Sequence, residues 1–402
     1  MATIAVLGTL DTKGVEHTFI ADEIRRRGHD ALLIDVGTGF PATTDHDIKR
    51  EVVVSAAGLD MVSISSSKDR GKCVAAMVKA APVFLEQLRK EGGIKGVISL
   101  GGGGGTAIAT AAMRALPIGF PKLMISTLAS GNTAPYVGSK DIVMMPSIVD
   151  VAGLNKISRT LFSQGAAAIC GMVDIQISSF EDKPVIVASM FGNTTECVGT
   201  AKQVLEKCGY EVLVFHSTGT GGRCMESLIE SGMVAGVLDI TATEWADELV
   251  GGVLAAGPHR HEAAGRAGVP TIIVPGCLDM VNFGEPDTVP LEFAERSFYH
   301  HNPQVTLMRT NPEECRELGR ILAGKINDYT APVTVLLPLK ALSVIGAAGN
   351  PFHDVDADQA LFDAIRMHLR KEIKVVEMDA EINDSAFARL CAKSLQDLMA
   401  KT

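Results

Sequence analysis

The chain has 402 residues, 47% of them apolar, 21% charged and 5% aromatic, and a formal net charge of −10. That length exceeds one ordinary core and implies two domains, while forty glycines imply helices packed closely on sheets. An acidic chain without a basic run excludes nucleic acid as a direct ligand, and no uninterrupted apolar run approaches the length of a membrane span.

Residues 2–7 read as a first strand with no charged leader before it. The eight dispersed cysteines lack a C-x-x-C pair and read as reduced thiols, so a cytoplasmic protein is expected. The loop after this strand holds Gly8, Thr9, Asp11, Thr12 and Lys13. Its hydroxyls and ammonium suit phosphate, and Asp11 suits Mg²⁺ directly or through water; a plain helix cap is the alternative. An amphipathic helix over 14–27, a stop at Gly28 and a strand over 30–35 follow, then Gly37-Thr-Gly39. An extra segment over about 44–91 places a strand at 59–64 before a hydroxyl-rich loop with Lys68 and Arg70. A planar guanidinium grips phosphate bidentately, whereas a solvated N-cap would need no ligand.

The strand at 96–100 runs straight into Gly101, Gly102, Gly103, Gly104 and Gly105, and Thr106 opens a buried helix. Strand, glycine loop and helix is the geometry that grips an anion, because bare backbone approaches closely and its N–H groups point outward. No acid ends the following strand to hold a ribose, so a nucleotide phosphate is favoured over NAD. After the strand at 122–126, Ser130, Gly131 and Asn132 suit a ribose or a base edge, or else an Asx turn.

The polar stretch at 181–184 divides the chain into domains 1–182 and 183–402. Strands at 184–189, 211–215, 236–240 and 271–275 repeat the plan of 3–9, 30–35, 96–100 and 122–126, with Gly219-Thr-Gly221 matching Gly37-Thr-Gly39. Each half is therefore expected to be a doubly wound α/β domain with a mostly parallel sheet, the chain being internally duplicated. Ligands in such sheets lie beyond the carboxyl ends of the strands, so the loops named above should converge there, facing an interdomain cleft.

In the second half, 216–223 is a further glycine-rich loop suited to an anion or a simple turn. Asp239, Glu244, His259, His261 and Asp279 gather at expected strand ends and suit acid–base chemistry, although caps and core histidines are the plainer reading. No H-E-x-x-H spacing is present. Residues 319–325 resemble a Walker A start, but Ile326 replaces the required hydroxyl and the run reads as mid-helix.

Together, residues 8–14, the five-glycine loop, 126–132 and 147–155 resemble the Tm-1-like ATP-binding family, over essentially the whole chain. The resemblance implies two Rossmann-like subdomains, ATP binding and a homodimer or higher homo-oligomer, without an agreed reaction. The expectation is a nucleotide-binding protein using ATP with Mg²⁺. The alternative is an enzyme acting on a small phosphorylated or carboxylated metabolite through the second-half Asp/Glu/His cluster.

Overall fold

The computed structural model describes residues 1–66, 69–176 and 182–401. The chain forms two compact units, Met1–Ser179 and Phe180–Thr402. In the first, the order is β1 (Thr3–Gly8), α1 (Leu10–Arg26), β2 (Asp30–Asp35), α2 (Arg50–Ser55), α3 (Met61–Ser66), α4 (Arg70–Lys90), β3 (Gly96–Gly101), α5 (Gly103–Arg114), β4 (Lys122–Ser126), α6 (Ala134–Val137), β5 (Val143–Pro146) and α7 (Lys156–Asp174). The strands are continuous apolar runs because both sheet faces are covered. Ile4 and Val6 of β1 pack with α1 and α7, while Ala5 and Leu7 pack with α4 and α5.

The five strands are parallel in the order β2-β1-β3-β4-β5. Winding reverses between β1 and β3, and at such a reversal the loops leaving the two strands diverge and open a crevice.

The second unit contains β6 (Val185–Met190), α8 (Thr195–Lys207), β7 (Glu211–His216), α9 (Thr220–Glu230), β8 (Gly236–Thr241), α10 (Glu244–Val250), α11 (Ala263–Ala267), β9 (Thr271–Gly276), β10 (Met280–Phe283), β11 (Phe298–Asn302), β12 (Val305–Arg309), α12 (Pro312–Asn327), β13 (Val333–Pro338), α13 (Val355–His368), β14 (Lys374–Met378) and α14 (Ser385–Met399). Its parallel sheet has the order β14-β13-β9-β8-β6-β7. The first four strands of each sheet thus occupy corresponding positions, and the α/β, doubly wound class expected from the sequence is the class observed. The antiparallel layer β10-β12-β11 has no counterpart among the described residues of the first unit.

Residues 59–64, expected as a strand, enter the short helix α3 instead. Met61 is buried and Val62 is 74% exposed, and α3 packs on α2 and α4. Pairing of β1 with both β2 and β3 leaves no position for it beside the central strand. The Walker-like run lies inside α12, where Gly319 meets Leu361 and Ala364 of α13. Among the described residues no helix is long and apolar enough to cross a membrane.

Candidate functional site

A cavity of about 710 Å³ opens at the β1/β3 reversal of the first unit. Its wall includes Thr9, Asp11, Thr12 and Lys13 after β1, Thr38, Gly39 and Phe40 after β2, Arg70, Cys73 and Val74 of α4, and Gly102–Gly105 and Ile108 after β3. The glycine run divides by role. Gly101 ends β3 and is buried; a Cβ there would lie 3.3 Å from the Gly105 Cα, so it permits close strand–helix approach. Gly102 is extended and α5 begins at Gly103. The first N–H groups of a helix have no partner within it, so Gly103, Gly104 and Gly105 present free donors and no side chains. A Cβ on Gly103 would meet nothing within 4 Å, and one on Gly104 would lie 4.0 Å from Nη2 of Arg70. The Arg70 guanidinium therefore stands beside the first turn of α5.

Lys13 interrupts α1 with φ −134° and ψ 33°, and its Nζ donates to the Val151 carbonyl. Asp11 Oδ2 accepts the Gly39 N–H at 2.8 Å, and Asp35 Oδ1 accepts the Gly37 N–H at 2.8 Å and the Leu10 N–H at 3.3 Å. Burial raises the Asp35 carboxyl, and these donors only partly oppose it. Sequence reasoning missed Thr38, Gly39 and Phe40; the signal available was a Gly-Thr-Gly turn closed by an aromatic residue after the second strand.

Several expected residues do not reach the cavity. Gly8 faces His17, whose ring a Cβ would approach to 2.6 Å, so this glycine serves packing. Thr106 is fully buried, and its hydroxyl pairs with Ser126 Oγ at 2.7 Å. Ser130, Gly131 and Asn132 are not in the wall; Asn132 Oδ1 accepts the Ala134 N–H at 3.1 Å, the Asx-turn alternative. Lys68 lies outside the described residues. Asp35 is the carboxylate beside Asp11 at Gly37, but no group of three or more His, Cys, Asp or Glu able to hold a metal occurs among the described residues.

The five second-half acid–base candidates do not form one site. Arg260, 2% exposed, binds two of them, Asp239 and Glu244. Its Nη1 and Nη2 grip Asp239 at 2.6 and 2.7 Å, Nε donates to Glu244 Oε2 at 2.8 Å, and Nη1 also reaches Glu226 at 3.0 Å. Burial is the largest single influence on Asp239 and would raise it, but the Arg260 charge, the neighbouring His261 and the hydrogen bonds from Arg260 and Ser189 together outweigh it and hold the carboxyl at about 2. Burial, then the Arg260 charge, lowers His261 to about 3. Its Nδ1 accepts the Trp245 indole N–H at 2.9 Å, which leaves the ring proton on Nε2, 3.3 Å from Asp239. Glu244 Oε1 accepts the Gly219 and Gly222 N–H groups at 2.7 and 3.1 Å. The anion held by the second glycine-rich loop is thus a carboxylate of the chain itself. His259 is exposed beside Glu262. Asp279 is buried elsewhere, on Ser343 Oγ at 2.5 Å, and burial raises its carboxyl. Cys277 is buried too, and burial pushes its thiol well above the usual range, which makes it a poor nucleophile.

The N-terminal and C-terminal domain profiles of the uncharacterised protein family UPF0261 match residues 2–178 and 183–399. The chain belongs to UPF0261. A UPF0261 protein of Clostridium tetani is 48% identical over 400 residues, 99% of each chain. The ToMV resistance protein Tm-1(GCR237) of Solanum lycopersicum is 38% identical over 421 residues, covering 98% of this UPF0261 chain and 56% of the tomato protein. A solved UDP-N-acetylglucosamine 2-epimerase from Rickettsia bellii aligns over 100% of this chain and 96% of its own at 10% identity, with a TM-score of 0.24. A likeness that low adds nothing to the fold read from strand order.

Proposed function

We propose that the first unit binds a nucleotide, ATP or a close relative, with its phosphates over Gly102–Gly105. One observation carries this reading: at the point where strand order reverses, the free N–H groups of the first turn of α5 share a cavity with Lys13 and Arg70. Two cations and one carboxylate among the described wall residues favour an anion locally, against the chain's overall negative charge. Mg²⁺ would arrive with the nucleotide, held mainly by phosphate oxygens and water, with Asp11 as its nearest protein carboxylate.

Binding is favoured over turnover, because Asp239 and Glu244 are both bonded to Arg260, and His261 is buried with its Nδ1 on the Trp245 indole N–H and its Nε2 beside Asp239. The self-association implied by the family resemblance belongs to the same reading, and sedimentation with and without ATP tests it. The central experiment is calorimetric titration of the full chain with ATP, AMP and inorganic tripolyphosphate, with and without Mg²⁺. Saturable ATP binding at one site, with AMP weaker, is expected. No heat and no thermal stabilisation with any of the three would refute the proposal.

A further inference from the structure

We propose that Phe40 is the platform on which the base of the nucleotide stacks, so that the cavity selects nucleoside phosphates over bare phosphates. This rests on the nucleotide reading above and assigns the other end of the same ligand.

The strand order sets the spacing. The loop after β2 and the glycine turn after β3 flank the loop after β1. They are two strand spacings apart, about 10 Å, which is a distance that a ribose and its first phosphates span. The phosphate-gripping groups, Gly102–Gly105 and Arg70, lie on the β3 side, and Phe40 lies on the β2 side of the same wall.

The ring is presented rather than stored. Phe40 is 80% exposed, and a lone exposed aromatic on a loose loop would mean little. This loop is braced on both its donors and its acceptors. Asp35 and Asp11 take the Gly37 and Gly39 N–H groups, each at 2.8 Å. Arg50 Nη1 donates to the Phe40 carbonyl at 2.8 Å and the Gly39 carbonyl at 3.2 Å. Asp11 therefore links the β1 loop to the β2 loop, and the backbone that carries Phe40 is held relative to the phosphate end before any ligand arrives. Preorganisation of this kind spares a ligand the ordering cost of its own platform. Stacking reads the π-face that every base shares, so discrimination between adenine and guanine should be weak.

The test compares the wild type, Phe40→Ala and Phe40→Trp by calorimetry with ATP, GTP and tripolyphosphate. Phe40→Ala is expected to weaken ATP and GTP by roughly 5- to 150-fold, the range of one base–aromatic stack, while tripolyphosphate binding stays unchanged. Phe40→Trp should keep ATP affinity, and ATP but not tripolyphosphate should quench its new indole emission above the Trp245 background. Unchanged ATP affinity in Phe40→Ala, or equal loss of ATP and tripolyphosphate, overturns the assignment. A wild-type chain that binds neither ligand refutes the phosphate site itself, a failure distinct from loss of stacking.

Discussion

Arg260→Met is the sharpest probe of the second unit. The guanidinium makes two hydrogen bonds to Asp239 and one each to Glu244 and Glu226, and its methionine replacement fills similar volume without charge. Removing one partner of a buried ion pair costs about 3–5 kcal/mol. Here two carboxylates under 4% exposed, Asp239 and Glu244, lose the same cation, so the upper end, about 5 kcal/mol, is expected. That is a large share of the roughly 5–15 kcal/mol that holds a domain together. The loss should depend on pH. In the wild type Asp239 sits at about 2 against an ordinary 3.8, so its contribution is full above 3.8 and disappears as pH falls through 2. In the variant Asp239 keeps its burial but loses the Arg260 charge, with the Ser189 hydroxyl still donating to it; its folded carboxyl should then titrate above its unfolded value, and stability falls as pH rises. The gap between the proteins should therefore widen from pH 5 to pH 8. The single tryptophan, Trp245, is bonded into this network, and its emission during urea unfolding gives the readout. A gap below about 1 kcal/mol, an ordinary mutational effect, or one equal at both pH values, would refute the reasoning.

Gly103→Val should leave the fold intact, since a Cβ there meets nothing within 4 Å, yet abolish ATP binding; full affinity by calorimetry would remove the phosphate role of the α5 turn. Arg70→Ala should cost about 1.5–3 kcal/mol of ATP affinity, the range for charged hydrogen bonds, with AMP less affected. Lys13→Ala should cost less, because its ammonium is already tied to the Val151 carbonyl; equal losses for ATP and AMP would place both cations away from the outer phosphates. Burial lowers His17 to about 4 from 6.5, so the unfolded chain binds a proton that the folded one refuses. His17 should thus contribute up to about 3 kcal/mol above pH 6.5, lost as pH falls through 4. His17→Asn should flatten the acid limb of the stability curve, and an unchanged limb would contradict a neutral buried ring.

The sheets and the glycine turn were legible because parallel strands buried on both faces are unbroken apolar runs, and glycines between a strand and a helix have a narrow structural meaning. Residues 59–64 misled for a related reason: a short apolar run fits a strand or a helical turn, and its packing against α2 and α4, which are distant from the periodicity of the run itself, decides. The second-half cluster misled differently. Polar residues at strand ends look alike whether they face a ligand or one another, and the residue that joins them, Arg260, sits between two histidines that draw the eye. Phe40 escaped notice because the role proposed for it rests on the bracing of its loop by Asp11, Asp35 and Arg50, which are distant or unremarkable in sequence.

Gly103 and Glu244 are each the first residue of the helix that follows the third strand of their sheet. One contributes no side chain; the other contributes a carboxylate that caps a neighbouring glycine turn. A covalently tethered anion acts at an effective concentration that a dissolved metabolite rarely matches, so the later copy is insulated from the metabolite pool. On the proposed nucleotide reading, the duplicated chain should behave like a gauge with a fixed reference: the stability of one half follows ligand concentration and that of the other does not. Heated at rising ATP, Met1–Ser179 should unfold later and later by mass action, while the transition of Phe180–Thr402 stays where it is.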